Sequence, residues 1–167
     1  MREHAYLEGD FVLRSGKRSR YYLDKYRFET RPDLLAALGE RLAERIREVA
    51  PTAVRIAGPE LGAIALAAAA SLSAGLPFLI VRKEAKGYGT ERQLEGEFEA
   101  GERVCLVEDV VTSGGAAAEA VGALRAAGLE CEEAVCVVDR EEGGENALAQ
   151  AGVRLHALFR ARDVLKA

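Results

Sequence analysis

In VCLVEDVVTSGG, residues 104–115, a strand-like apolar run ends in two adjacent carboxylates, Glu108 and Asp109, followed by Val110, Val111, Thr112, Ser113, Gly114 and Gly115. The small residues lead into a helical run beginning at Gly115 and Ala116. N–H groups in the first turn of a helix have no intrahelical acceptor and sit at the positive end of its dipole. Residues 112–115 can therefore form a concavity that takes a phosphate, with two hydroxyls added. Paired acids beside a phosphate repel it unless they hold something else, such as the vicinal hydroxyls of a ribose or a hydrated Mg²⁺. A sugar phosphate satisfies both halves. The sequence contains neither the GKS/T of a Walker loop nor the GxGxxG of a dinucleotide site, which removes both of those readings.

Those residues need a frame. From residue 31 onward helical periodicity and apolar runs alternate. Pro32 opens a helix in which Leu34, Leu35, Leu38, Leu42, Ile46 and Val49 recur at helical spacing, ending before Pro51. TAVRIAG, PFLIVRK, VCLVED, EEAVCVVDR and RLHALF are strand-like. LGAIALAAAASLSA, stopped by Gly75, GAAAEAVGALRAAG and GENALAQAG are helical. Continuous apolar strands separated by helices predict a single α/β domain over residues 1–167, an open, mainly parallel sheet flanked by helices. Ligands of such sheets bind beyond the carboxyl ends of the strands, here GPELG, RKEAKGYG, EDVVTSGG and DREEGG. Two segments stand outside the alternation. Residues 1–30 form a strand-rich hood segment with a turn signal at Ser15 and Gly16, and residues 84–101 are expected to be a mobile, lid-like loop or β-ribbon.

Composition narrows the function classes. Hydrophobic residues make up 49% and charged residues 30% of the chain, enough for a core without disulfides or metals. The longest apolar stretch, residues 61–72, is broken by Gly62 and Ser71 and is too short to span a bilayer. The N-terminus lacks the apolar core of a signal peptide, so the cytoplasm is the expected location. Cys105, Cys131 and Cys136 form no CxxC pair and are expected to be small buried apolar residues of a reducing compartment. A net charge of −4 argues against nucleic acid as a partner. Two basic segments, residues 14–31 and residues 82–92, suit a small anionic ligand instead. The histidines, His4 and His156, support neither a metal site nor a nucleophile–base pair. Taken alone, Glu108 and Asp109 would be an exposed strand-end pair, Arg140 an exposed arginine, and Tyr21 and Tyr22 strand residues facing opposite sides.

Taken together the motifs say more. VCLVEDVVTSGG resembles the phosphoribosyl pyrophosphate (PRPP) signature of type I phosphoribosyltransferases. FVLRSGKRSRYYLD, VRKEAKGYG and VDREEGG resemble, in order, the N-terminal motif, the catalytic loop and the base-binding motif of the orotate phosphoribosyltransferases. The resemblance implies a type I phosphoribosyltransferase fold and transfer of a phosphoribosyl group from PRPP to orotate with Mg²⁺, which is bound mainly through PRPP and water. It implies that Glu108 and Asp109 meet the ribose hydroxyls and that Val110, Val111, Thr112, Ser113, Gly114, Gly115 and Ala116 enclose the 5′-phosphate. Arg82, Lys83, Lys86 and Tyr88 would meet pyrophosphate, with Lys83, Lys86 and Asp109 as the catalytic groups and residues 57–63, AGPELGA, as the pyrophosphate turn. Arg14, Tyr21, Tyr22, Thr112 and Arg140 would hold orotate, Arg140 through its carboxylate. The family further implies a homodimer whose catalytic loop is shared between subunits. The chain departs from many members in carrying Tyr88 where the loop often has histidine, and in a pyrophosphate turn without lysine. Two alternatives stand beside this reading: a phosphoribosyltransferase for another base, such as a purine, and a non-catalytic regulator that keeps the pocket as a PRPP sensor.

Overall fold

The computed structural model describes residues 6–12, 18–84 and 93–166. A two-stranded antiparallel hairpin, β1 (Tyr6–Val12) and β2 (Arg18–Leu23), comes first among the described elements and lies within residues 1–30. Then come α1 (Tyr26–Glu29), α2 (Pro32–Val49), β3 (Arg55–Pro59), α3 (Ala63–Ala74) and β4 (Phe78–Val81). They are followed by β5 (Leu94–Glu95), β6 (Arg103–Val111), α4 (Gly115–Ala126), β7 (Glu130–Asp139), α5 (Gly144–Gln150), β8 (Arg154–Arg160) and α6 (Ala161–Lys166).

The main sheet has six strands in the order β5-β4-β3-β6-β7-β8, all parallel except the β4–β5 pair. The five strands expected from apolar runs are all present. The two-residue β5, which sits within the 84–101 segment as an edge ribbon on β4, is too short to carry a periodic signal.

Side chains alternate across the sheet and build two cores. Cys105, Val107, Val135 and Val137 pack with Leu38, Leu42 and Ile46 of α2 and Leu66 and Ala70 of α3. Val104, Leu106 and Ala134 pack on the opposite face with Ala117, Val121 and Leu124 of α4 and Leu148 of α5. Leu42, Ile46, Leu66 and Leu124 are at most 1% exposed, and each contributes roughly 1.5–3 kcal/mol through burial. Helix α2 starts on Pro32, and α3 ends at Gly75 in the left-handed region (φ 71°), the position where a side chain would be strained. A β-carbon on Gly39 would lie 2.8 Å from backbone atoms of Ala69, so glycine lets α2 and α3 touch backbone to backbone. Cys105, Cys131 and Cys136 are buried and unpaired, as expected of small apolar residues.

The two ends of the sheet differ in how their charges are used. At the amino ends of the strands the ions neutralise one another. Arg55 pairs with Glu102, Arg103 with Glu130, and Glu133 accepts from Arg154 and lies 2.8 Å from His156 Nε2. At the carboxyl ends a cleft opens instead. No helix among the described residues is long and apolar enough to cross a membrane.

Candidate active site

The cleft follows from strand register. Pairing of β3 with β6 ends at Ala57 and Leu106, whereas β6 continues beside β7 as far as Val111. The last residues of β6 therefore run past β3 with one edge free. The connection from β3 leads toward β4 and that from β6 toward β7, in opposite directions across the sheet. This is the topological switch point at which ligands of open α/β sheets bind. The resulting cavity, about 710 Å³, is bounded by the end of β6, the 112–117 loop and helix head, residues 59–63, Lys83, Lys25 and Tyr26.

Glu108 and Asp109 form its floor. They are 8% and 4% exposed, so they are not the solvated strand-end pair that two adjacent acids would ordinarily make. Burial, then the neighbouring Asp109 carboxylate, pushes the Glu108 carboxyl up to about 8. Asp109 is held at both oxygens: Oδ1 accepts from the Val110 N–H and Oδ2 from Lys25 Nζ at 2.5 Å. Burial acts to lower the Lys25 pKa, but the hydrogen bond and charge of Asp109 outweigh it and hold the ammonium above its ordinary value.

Above the acids stands the cradle. Gly114, at φ 81°, caps α4, and its C=O accepts from Ala118 N at 2.9 Å. Thr112, Ser113, Gly115 and Ala116 are exposed and line the cleft, and Val110 and Val111 line its wall. The loop is braced from behind. Arg140 N donates to Val111 O at 2.9 Å, and a β-carbon on Gly144 would lie 2.3 Å from Val111 Cγ1 and 2.7 Å from Thr112 O.

The opposite wall is the turn after β3. Glu60 N donates to Val81 O, and Glu60 Oε1 accepts from Lys83 N at 2.8 Å, which fixes the base of the basic segment to the turn. Gln93 Nε2 secures the other side by donating to Lys83 O at 3.1 Å. The Glu60–Leu61 peptide is cis.

The expected site residues divide into three groups. Glu108, Asp109, Val110, Val111, Thr112, Ser113, Gly114, Gly115, Ala116 and Lys83 all line the one cleft. Arg82 and Arg140 border it without lining it: Arg82 reaches toward Glu95 at 3.8 Å, and the Arg140 guanidinium pairs with Glu142 at 3.0 Å. Arg14, Lys86 and Tyr88 lie outside the described residues, as do the side chains of Tyr21 and Tyr22, whose backbone belongs to β2 opposite Glu8 and Leu7.

The sequence marked Lys25, which lines the cleft, only as part of a basic segment, and it did not single out Glu29, a buried carboxyl near Asp109 that lies outside the cleft lining. Glu29 lies one helical turn after Lys25, is 4% exposed, and its Oε1 has no hydrogen-bond partner among the described residues. Burial, then Asp109, pushes its carboxyl up to about 8.

These two raised carboxyls predict a pH dependence of stability. Between pH 5 and pH 8 the folded protein keeps protons on Glu29 and Glu108 that the unfolded chain releases near its ordinary carboxyl pKa, so stability falls as pH rises. Glu133, Glu102 and Asp33, held low, titrate below this window, and Lys25 above it. The urea midpoint is expected to drop from pH 5 to pH 8 by the equivalent of a few kcal/mol, on the order of 1.4 kcal/mol per proton and pH unit at most. Glu29→Gln should flatten roughly half of that slope. A wild-type midpoint that rises over this range would contradict the assignment.

Comparison with known proteins agrees with this geometry. Residues 27–153 match the family model of the phosphoribosyl transferase domain. Over 158 residues the chain is 50% identical to the orotate phosphoribosyltransferase of Methanocella arvoryzae, covering 94% of this chain and 88% of that protein. The crystal structure of orotate phosphoribosyltransferase from Aeropyrum pernix superposes with a TM-score of 0.86 at 34% identity, covering 99% of this chain and 92% of that one. The Mycobacterium tuberculosis orotate phosphoribosyltransferase in complex with PRPP gives a TM-score of 0.81 at 29% identity, with coverages of 98% and 93%. With a switch-point cleft that joins the head of α4 to buried paired acids, and with relatives this similar over nearly its whole length, the chain belongs to the orotate phosphoribosyltransferase family.

Proposed function

We propose that the cleft transfers the 5-phosphoribosyl group of PRPP to orotate, forming orotidine 5′-monophosphate and pyrophosphate on the route to UMP. The observation that carries this reading is the meeting, in one cavity, of the cradle at the head of α4, the acids at the end of β6 and the turn after β3. The ribose C1′–O bond to pyrophosphate breaks, the bond from C1′ to the base nitrogen forms, and the proton of that nitrogen passes to solvent water. Residues 112–115 hold the 5′-phosphate through N–H groups and hydroxyls. Glu108 and Asp109 hold the ribose hydroxyls, acceptors against donors. Lys83 and Lys86, with Arg82 and Tyr88, face the departing pyrophosphate, where cations act most strongly as its negative charge develops.

Orotate is already an anion, so its carboxylate suits the planar fork of Arg140, with Arg14, Tyr21, Tyr22 and Thr112 around the ring. Glu60, Glu108 and Asp109 place oxygen donors at the cleft, and with water they would face a Mg²⁺ carried mainly by PRPP, which would supply charge neutralisation for the departing pyrophosphate. We further place the enzyme in the cytoplasm as a homodimer, with part of its basic loop reaching the neighbouring site.

The test is the loss of orotate absorbance when purified protein meets orotate, PRPP and Mg²⁺, with purine bases assayed in parallel. Loss with orotate alone is the expected result. Turnover with a purine alone, or with no base at all, would overturn the reading. Arg140→Ala is expected to raise the orotate KM by roughly 10- to 100-fold, the size of a lost charge-assisted pair, with the PRPP KM little changed. An unaltered orotate KM would remove Arg140 from the base pocket.

A further inference from the structure

Lys25 is the cleft residue that none of the motifs explains. It follows β2 of the hood hairpin and precedes α1, and its ammonium reaches Asp109 Oδ2 at 2.5 Å across 84 residues of sequence. The Asp109 side chain is only 6% exposed, whereas that of Lys25 keeps 32%, so one side of the ammonium is pinned and the other faces the cleft. An ammonium has three donors, and among the described residues Asp109 accepts from one of them. The described lining carries two basic side chains, Lys25 and Lys83, against the carboxylates Glu60, Asp109 and Glu119 and the protonated Glu108. A polyanion entering such a cleft is repelled unless a cation stands between it and the acids.

Lys25 occupies that position. A β-carbon on Gly62 would lie 1.7 Å from Asp109 Oδ2 and 2.6 Å from Lys25 Nζ, so the turn after β3 packs directly on the pair. Gly62 has φ −64° and ψ −41°, helical values open to any residue, so glycine is required here for space alone.

We propose that Lys25 is a further substrate-positioning residue. Its ammonium orients Asp109 toward the ribose hydroxyls and sets a fixed positive charge against the turn that receives the diphosphate. The hood hairpin is thereby coupled to PRPP binding as well as to the base. This inference rests on the phosphoribosyl-transfer reading and adds to it a residue and a coupling between elements.

The experiment compares Lys25→Met, which keeps the stem and removes the charge, Lys25→Arg, which keeps the charge, and Gly62→Ala, which crowds the pair without substituting either member. PRPP affinity is measured by calorimetry with Mg²⁺, and kcat and both KM values in the orotate assay. Lys25→Met is expected to weaken PRPP binding by roughly 10- to 100-fold and to leave the orotate KM within about threefold. Lys25→Arg should recover most of the loss, and Gly62→Ala should fall in the same direction as Lys25→Met. The proposal is overturned if Lys25→Met binds PRPP within about twofold of wild type, or if its loss is confined to orotate. If Lys25→Met does not fold, normal PRPP affinity in Gly62→Ala overturns it equally. Should wild type bind PRPP without reacting with orotate, the base assignment falls, while the calorimetric difference between wild type and Lys25→Met still decides the role of Lys25.

Discussion

Gly114→Ala is expected to lower kcat/KM for PRPP by about 100-fold or more and to reduce the melting temperature by roughly 5–10 °C. Gly114 caps α4 at φ 81°, a conformation that costs an L-residue about 1–2 kcal/mol. Steric contact adds to this, because the new β-carbon would stand 2.9 Å from Gly144 O, 3.0 Å from Gly144 Cα and 3.1 Å from Ala147 Cβ. Gly144 cannot retreat easily, being packed against Val111 and the Thr112 carbonyl. The loop must therefore move, and the N–H groups proposed to hold the 5′-phosphate move with it. Calorimetry of PRPP binding, read beside a thermal melt, checks both parts. Wild-type affinity in a destabilised protein would show that residues 112–115 do not hold the phosphate.

Lys86→Ala is expected to act differently, lowering kcat by roughly two to three orders of magnitude while PRPP affinity stays within about threefold. Lys86 lies outside the described residues, but the base of its segment does not. Lys83 is fixed at the cleft rim through Glu60 and Gln93, which ties the segment to the turn where the diphosphate is proposed to sit. A cation that meets pyrophosphate chiefly as it departs stabilises the transition state more than bound substrate. Lys25, pinned to Asp109 before any ligand arrives, contributes instead to ground-state binding. The two lysines are thus separable: one moves KM and Kd, the other kcat. Single-turnover rates at saturating PRPP measure this directly, and an unchanged rate in Lys86→Ala would take that residue out of the chemical step.

The sequence by itself determined the features that depend on near neighbours. Strands β3, β4, β6, β7 and β8 announced themselves as apolar runs, α2 by its leucine spacing after Pro32, and the end of α3 by Gly75, because burial periodicity and backbone preference act within a few residues. The cradle was legible for the same reason, since acids, hydroxyls and glycines follow one another at a strand-to-helix junction. Tertiary structure decided what pairing and packing bring together over long distances. Register made β6 overrun β3, so that Glu108 and Asp109 became a buried floor instead of a solvated pair. The edge strand Leu94–Glu95 exists only because β4 offers it a partner. Arg140 bonds its backbone to Val111 while its guanidinium pairs with Glu142, a division that no local pattern encodes. Lys25 and Glu29 read only as members of a charged segment, and their approach to Asp109 came from packing the end of that segment against β6. Short-range order is written in spacing, whereas the partner of a charge 84 residues away is set by which surfaces the folded chain presses together.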